Sequence, residues 1–164
     1  MVNHTNRRRL VTIPWVRRPV GTRRLQAWMP YQDGSNRRWI LAELGDRMRP
    51  EWNTTAKRWE IARPHLRTLV ESMAMKFGEI DVYLEFSTRQ RCDVRCRDAR
   101  GDDCICSCMG ENHGGAAYWR YWTLVGDTTL IGDSEVQVRH YRVRRSDVVK
   151  AGRTDPFSSE GMPG

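Results

Sequence analysis

The stretch "PHLRTLVESMAMKFGEIDVYLEF", residues 64–86, decides the fold class because its apolar period changes in the middle. Leu66, Leu69, Val70, Met73 and Phe77 recur at i, i+3, i+4, i+7 and i+11, one stripe along a helix. Pro64 stands in what would be the first turn, where a helix tolerates proline, and Gly78 stands where a helix would end. From there Ile80, Val82, Leu84 and Phe86 alternate with Asp81, Tyr83 and Glu85, the period of a strand with one apolar face. A striped helix followed directly by a one-sided strand buries both apolar surfaces when the helix lies on the sheet. The fold class is therefore α+β.

Working outward, "LQAWMPYQDGSNRRWILAEL" reads as two extended segments, Leu25–Tyr31 and Arg37–Leu44, joined by a turn over 32–36 that carries Asp-Gly. "GDRMRPEWN" reads as a loop and Lys57–Ala62 as a third strand. Further along, "AAYWRYWTLVG" and "EVQVRHYRV" are extended runs, with a turn expected near "GDTTLIGDS". The expected architecture is a small, mainly antiparallel sheet with a β-β-β-α-β core. One amphipathic helix packs on it, and a Cys-rich metal-binding loop is inserted between strands. Residues 1–24 are expected to form a basic, flexible arm, 25–143 a single α+β domain, and 144–164, polar with Gly, Pro and Ser, a disordered tail.

The charge is unevenly spread. The chain has 164 residues and a net charge of +8, and residues 1–24 alone hold seven Arg and no acid. Residues 25–143 balance at 17 basic and 17 acidic. A basic arm beside a neutral body suits contacts to nucleic-acid phosphates, or simply solubilises the chain. Mean hydropathy is −0.70, and no apolar run approaches the length of a membrane span. The N-terminus lacks the apolar region of a signal peptide, so the expectation is a cytoplasmic protein with no membrane association.

That compartment bears on "RCDVRCRDARGDDCICSCMGENHGG", residues 91–115, which holds all five cysteines. Cytosolic thiols stay reduced, and five cannot all pair within one chain. The spacing Cys92-x3-Cys96-x7-Cys104-x-Cys106-x-Cys108-x4-His113 instead offers six soft or borderline ligands to a tetrahedral Zn2+ that needs four. An iron–sulfur cluster is the second choice, and a redox role, without C-x-x-C, the third. Glu111 is the nearest candidate base, but no second acid/base set follows at nuclease or deaminase spacing. The site therefore reads as a structural staple with no catalytic residues.

Two resemblances follow from these residues. The segment formed by Cys92, Cys96, Cys104, Cys106, Cys108, Gly110, Asn112, His113 and Gly114 resembles one in small uncharacterised proteins of phages, prophages and their high-GC bacterial hosts, a group that implies no particular activity. "PEWNTTAKRWEIARPHLRTLVESM", residues 50–73, resembles the HARP module of annealing helicases, where a strand with a K-x-W core feeds a short helix; here that core is Lys57-Arg58-Trp59. The helicase motor is missing, so the resemblance implies binding alone.

Seven tryptophans are many for this length, and "YWRYW" (118–122) interleaves aromatics with Arg120, an arrangement that can stack bases or fill a core. Trp15 is the tryptophan least expected in the core. Arg37, Arg38, Lys57 and Arg58 are expected at strand beginnings, where they can line a phosphate track; their bland alternative is a solvated sheet edge. Arg7, Arg8, Arg9, Arg17 and Arg18 of the arm and Arg120 of the aromatic run are the other candidate nucleic-acid contacts. His4, His65 and His140 read as surface or capping residues. The sequence thus predicts a zinc-stapled accessory protein that binds nucleic acid. A phage-type adaptor or inhibitor of a host protein is the alternative, and a metal-dependent hydrolase ranks third.

Overall fold

A computed structural model describes residues 12–31, 34–87, 122–130 and 135–153. The elements are β1 (Trp15–Arg18), β2 (Arg24–Trp28), α1 (Ser35–Leu44), β3 (Glu51–Asn53), β4 (Arg58–Ala62), a 3-10 turn (Arg63–His65), α2 (Leu66–Phe77), β5 (Glu79–Ser87), β6 (Thr123–Leu130), β7 (Val136–Arg144) and α3 (Arg145–Arg153). The strands form one mixed, mostly antiparallel sheet in the order β3-β4-β2-β1-β5-β7-β6, in which β1 and β5 run parallel.

The helix-to-strand passage folds as its periods require. Leu66, Leu69, Val70, Met73 and Ala74 of α2 are buried against the sheet. Gly78, at φ 91°, ends the helix by donating its N–H to the Ala74 carbonyl at 2.9 Å. In β5, Ile80, Val82, Leu84 and Phe86 are fully buried. The matched registers Val16↔Val82, Val16↔Ala27 and Leu25↔Ile61 extend that face across β1, β2 and β4.

Several expectations are corrected. The segment 37–44, expected as a strand, lies in the helix α1. The apolar run Trp39-Ile40-Leu41 has no alternation, its neighbours Arg, Ala, Leu and Glu favour helix, and Ile40 with Leu44 at i+4 faces the core. The Asp-Gly pair does not close a hairpin: Gly34, at φ 74°, precedes the first helical turn, and Gly45 caps the last by donating to Leu41.

The loop "GDRMRPEWN" contains β3, which pairs with β4 through Trp52↔Trp59. Its hairpin turn lacks Gly and Pro; instead Asn53 Oδ1 accepts the Ala56 N–H at 2.9 Å, and Lys57 takes φ 53°. β6 runs into the stretch "GDTTLIGDS" as far as Leu130, with a register shift between Leu124 and Gly126 that absorbs one residue as a bulge. It pairs antiparallel with β7 through Leu130↔Val136, in keeping with a reversal near there; residues 131–134 lie outside the described residues.

The expected arm ends earlier than residue 24, because Trp15–Arg18 form the strand between β2 and β5. Residues 145–153, expected as disordered tail, form α3. Asp147 Oδ2 accepts the Arg144 N–H at 3.0 Å, and the Arg145 guanidinium donates to the Met75 carbonyl at 2.8 and 3.0 Å, at the C-terminal end of α2. Among the described residues, the β-β-β-α-β core with one helix therefore becomes seven strands with three α-helices. Among the described residues no helix is long and apolar enough to cross a membrane.

Candidate functional site

At the end of the sheet where β2 leaves and β4 begins, the chain forms a cleft of about 440 Å3. Its walls are aromatic: Trp28, Tyr31, Trp52 and Trp59, with Met29 among them. Its cations are Arg37, from the first turn of α1, and Lys57, from the β3–β4 turn. The cross-strand pairing of β3 and β4 sets Trp52 edge-on to Trp59, centroids 5.2 Å apart at 62°. Trp59 is buried, whereas Trp52 is 47% and Tyr31 80% exposed, so ring surface remains on offer to solvent. Asn36 fixes the helix end of the cleft by donating Nδ2 to the Pro30 carbonyl at 3.0 Å.

Neither cation of the cleft is held by a carboxylate among the described residues, and both are exposed. Residues 34–65 hold seven basic and four acidic side chains, so this stretch is more basic than the neutral body as a whole.

The anticipated phosphate contacts divide when placed in the fold. Arg37 and Lys57 meet at the cleft, and Arg38 is exposed beside Arg37 on α1; none of the three lies on a strand. Arg58 begins β4 and pairs with Glu60 at 3.5 Å. Arg17 is half-exposed on β1 but its Nε is bonded to Glu85 Oε2. Arg18 is corrected outright: it is fully buried on the helix-facing side, its guanidinium carbon 4.9 Å above the Phe86 ring, and cannot meet a phosphate there. Arg7, Arg8, Arg9 and Arg120, and all six metal candidates Cys92, Cys96, Cys104, Cys106, Cys108 and His113, lie outside the described residues. So do Glu111, His4 and most of "YWRYW", of which Trp122 is described and buried.

The cysteine segment nevertheless has fixed anchors. Ser87 pairs with Val136 and Thr123 with Arg142, so its two ends join the sheet toward opposite ends of β7. Those partners are six residues apart, roughly 20 Å along a strand.

The sheet face away from the helices has a second polar cluster. Asp81 Oδ1 sits 2.8 Å from His140 Nε2 and 3.1 Å from Arg142 Nε, and the His140 ring stacks on Tyr83 at 4.5 Å. His140, expected as a surface or capping residue, is thus half-buried and engaged on both sides. Trp15 stands opposite Trp28 on this face, half-buried and apart from the core.

Burial pushes the Tyr83 phenol above its ordinary value of 10.0, and the Asp81 charge adds to the rise against Arg142 and Arg17. A raised folded value favours the neutral phenol in the fold. Its contribution to stability is complete below the ordinary tyrosine value and disappears as pH rises through Tyr83's own. The difference in tyrosinate absorbance between the native chain and Tyr83→Phe should accordingly develop only above the ordinary range. Development at the ordinary value would mean that the phenol is solvated.

The cleft is legible in part: Arg37, Lys57 and the K-x-W tryptophan stand among the sequence candidates, while Trp28, Tyr31 and Trp52 do not. The available signal was Trp52 and Trp59 flanking an Asn-containing turn, a cross-strand aromatic pair. No protein-family model, curated protein or solved structure matches the chain.

Proposed function

We propose that this protein is a small accessory protein that binds single-stranded nucleic acid. The observation that carries the reading is the aromatic cleft with Arg37 and Lys57 at its margin. Base faces stack on exposed indole and phenol rings regardless of sequence, and exposed cations meet the phosphates that follow. The Arg-rich N-terminal residues add salt-dependent affinity. The direct test is fluorescence anisotropy of a labelled oligothymidylate titrated with the protein at several salt concentrations. Affinity should fall steeply between about 50 and about 200 mM salt. Absence of binding at the lower concentration would sink the reading.

The cysteine segment serves this reading as a Zn2+ staple formed from four of Cys92, Cys96, Cys104, Cys106, Cys108 and His113, supported by their spacing. Elemental analysis of untagged protein should find about one zinc per chain, and a chelator should lower the unfolding temperature. Iron with visible absorbance, or no metal, would overturn the staple.

A second reading, an adaptor or inhibitor of a host protein, draws on Leu124 and Val125. Both are half-exposed at the bulge of β6, an edge strand of the sheet. Capture of one partner that persists at high salt would favour it over the nucleic-acid reading.

A further inference from the structure

A second depression lies beside the aromatic cleft, lined by different residues. Thr22, Arg23, Arg24, Gln26, Arg58 and Glu60 line a shallow groove of about 350 Å3 on the sheet face away from the helices. The pairing Gln26↔Glu60 and Ala27↔Trp59, continued by one residue, brings Trp28 of the cleft alongside Arg58 of the groove. Lys57 and Arg58 are consecutive, one facing each depression. Along β2, Trp28, Gln26 and Arg24 share one side of the strand, because the side-chain period there is two. From Trp28 to Arg24 is four residues, roughly 13 Å.

Charge in the groove is graded. Arg24 pairs with Glu51 at 3.0 Å and Arg58 with Glu60 at 3.5 Å, both at least partly open to solvent. Arg23 is exposed and pairs with no carboxylate among the described residues. An incoming phosphate would therefore meet one uncompensated guanidinium and two whose carboxylate partners it could displace. The guanidinium fork binds phosphate oxygens in pairs, which suits this task better than lysine does.

Resting on the nucleic-acid reading above, we infer that cleft and groove form one track for a polynucleotide backbone, with a base held among Trp28, Tyr31 and Trp52 and the neighbouring phosphates running over Lys57 and Arg58 to Arg23 and Arg24. The ligand class follows. A free base or mononucleotide occupies only the cleft, and a strand of several nucleotides is needed to reach both ends. Glu60, which holds Arg58 and accepts Asn53 Nδ2 at 3.2 Å, is the acid that weakens the track.

The test is anisotropy with labelled oligothymidylates of two lengths, a dinucleotide and one of about eight nucleotides, against the native chain, Trp52→Ala, the double variant Arg23→Gln/Arg24→Gln, and Glu60→Gln. The double variant should bind the longer strand about tenfold more weakly, with its salt slope reduced by about 1.4, while binding the dinucleotide unchanged. Glu60→Gln should bind the longer strand more tightly, a gain that misfolding cannot imitate. If Trp52→Ala weakens both ligands while the arginine and Glu60 variants change neither, the track is wrong and the cleft reading stands. If no variant alters either ligand, both fail.

Discussion

Phe86→Ala is expected to cost about 4 kcal/mol of stability and to lower the unfolding temperature by roughly 8–16 °C. Phe86 is fully buried near the end of β5, on the helix-facing side of the sheet. Truncating a buried phenylalanine removes its transfer free energy and leaves a cavity that close-packed neighbours fill only in part. Here a second loss is added. Arg18, buried to the same degree on the neighbouring strand β1, holds its guanidinium 4.9 Å over the ring, and the ring's negative face is one of the contacts that offset a charge withdrawn from water.

Phe86→Leu separates the two effects, since it keeps most of the apolar volume and loses the π face. Its cost should be about 1–2 kcal/mol. Urea unfolding of the three chains provides the comparison, with an unchanged denaturant slope required for the values to be read as native-state losses. A cost below about 1 kcal/mol for the alanine variant would mean that this end of β5 is not core.

Trp52→Ala is expected to weaken single-strand binding roughly ten- to a hundredfold while leaving the fold in place. The two effects separate because of where the residue sits. Trp52 is on the short edge strand β3, 47% exposed, and its internal contact is the edge-on approach to Trp59. Such a pair adds about 1 kcal/mol, a small part of a domain's stability, whereas each stacked base adds about 1–3 kcal/mol to binding. Trp52→Phe keeps a flat ring at the same register and should retain most of the affinity. Equal affinity of the alanine variant and the native chain would remove the cleft from the binding surface.

How much of this could be read before folding depended on whether a segment stated its own period. The α2–β5 passage did: five apolar positions on one helical stripe and four on alternate strand positions left one geometry for each, and Gly78 marked the joint. The segment 37–44 did not. Trp39-Ile40-Leu41 is as compatible with a buried strand as with a helix, and the Asp-Gly pair argued for the wrong one. The decision came from packing: as a helix, α1 sets Ile40 into the core and Trp39 against Phe77, ring centroids 6.3 Å apart. The tail departs from its expectation for a related reason. Its composition is that of a disordered segment, but Arg145 finds a carbonyl at the end of α2, seventy residues away, and such a partner is invisible locally.

By itself the sequence determined the α+β class, the central helix and strand, the excess of cations, and a set of thiols whose spacing is suited to a metal. These depend on near neighbours in the chain. Tertiary structure decided which cations are available. Arg17 and Arg18 are adjacent in one basic run, yet alternation along β1 sends Arg17 to the open face and an ion pair with Glu85, and Arg18 into the core over Phe86. Arg37 and Lys57 are twenty residues apart and share a cleft because the hairpin of β3 and β4 brings its turn back beside the start of α1. Charge is a property of residues, but exposure and convergence are properties of the surface that folding creates.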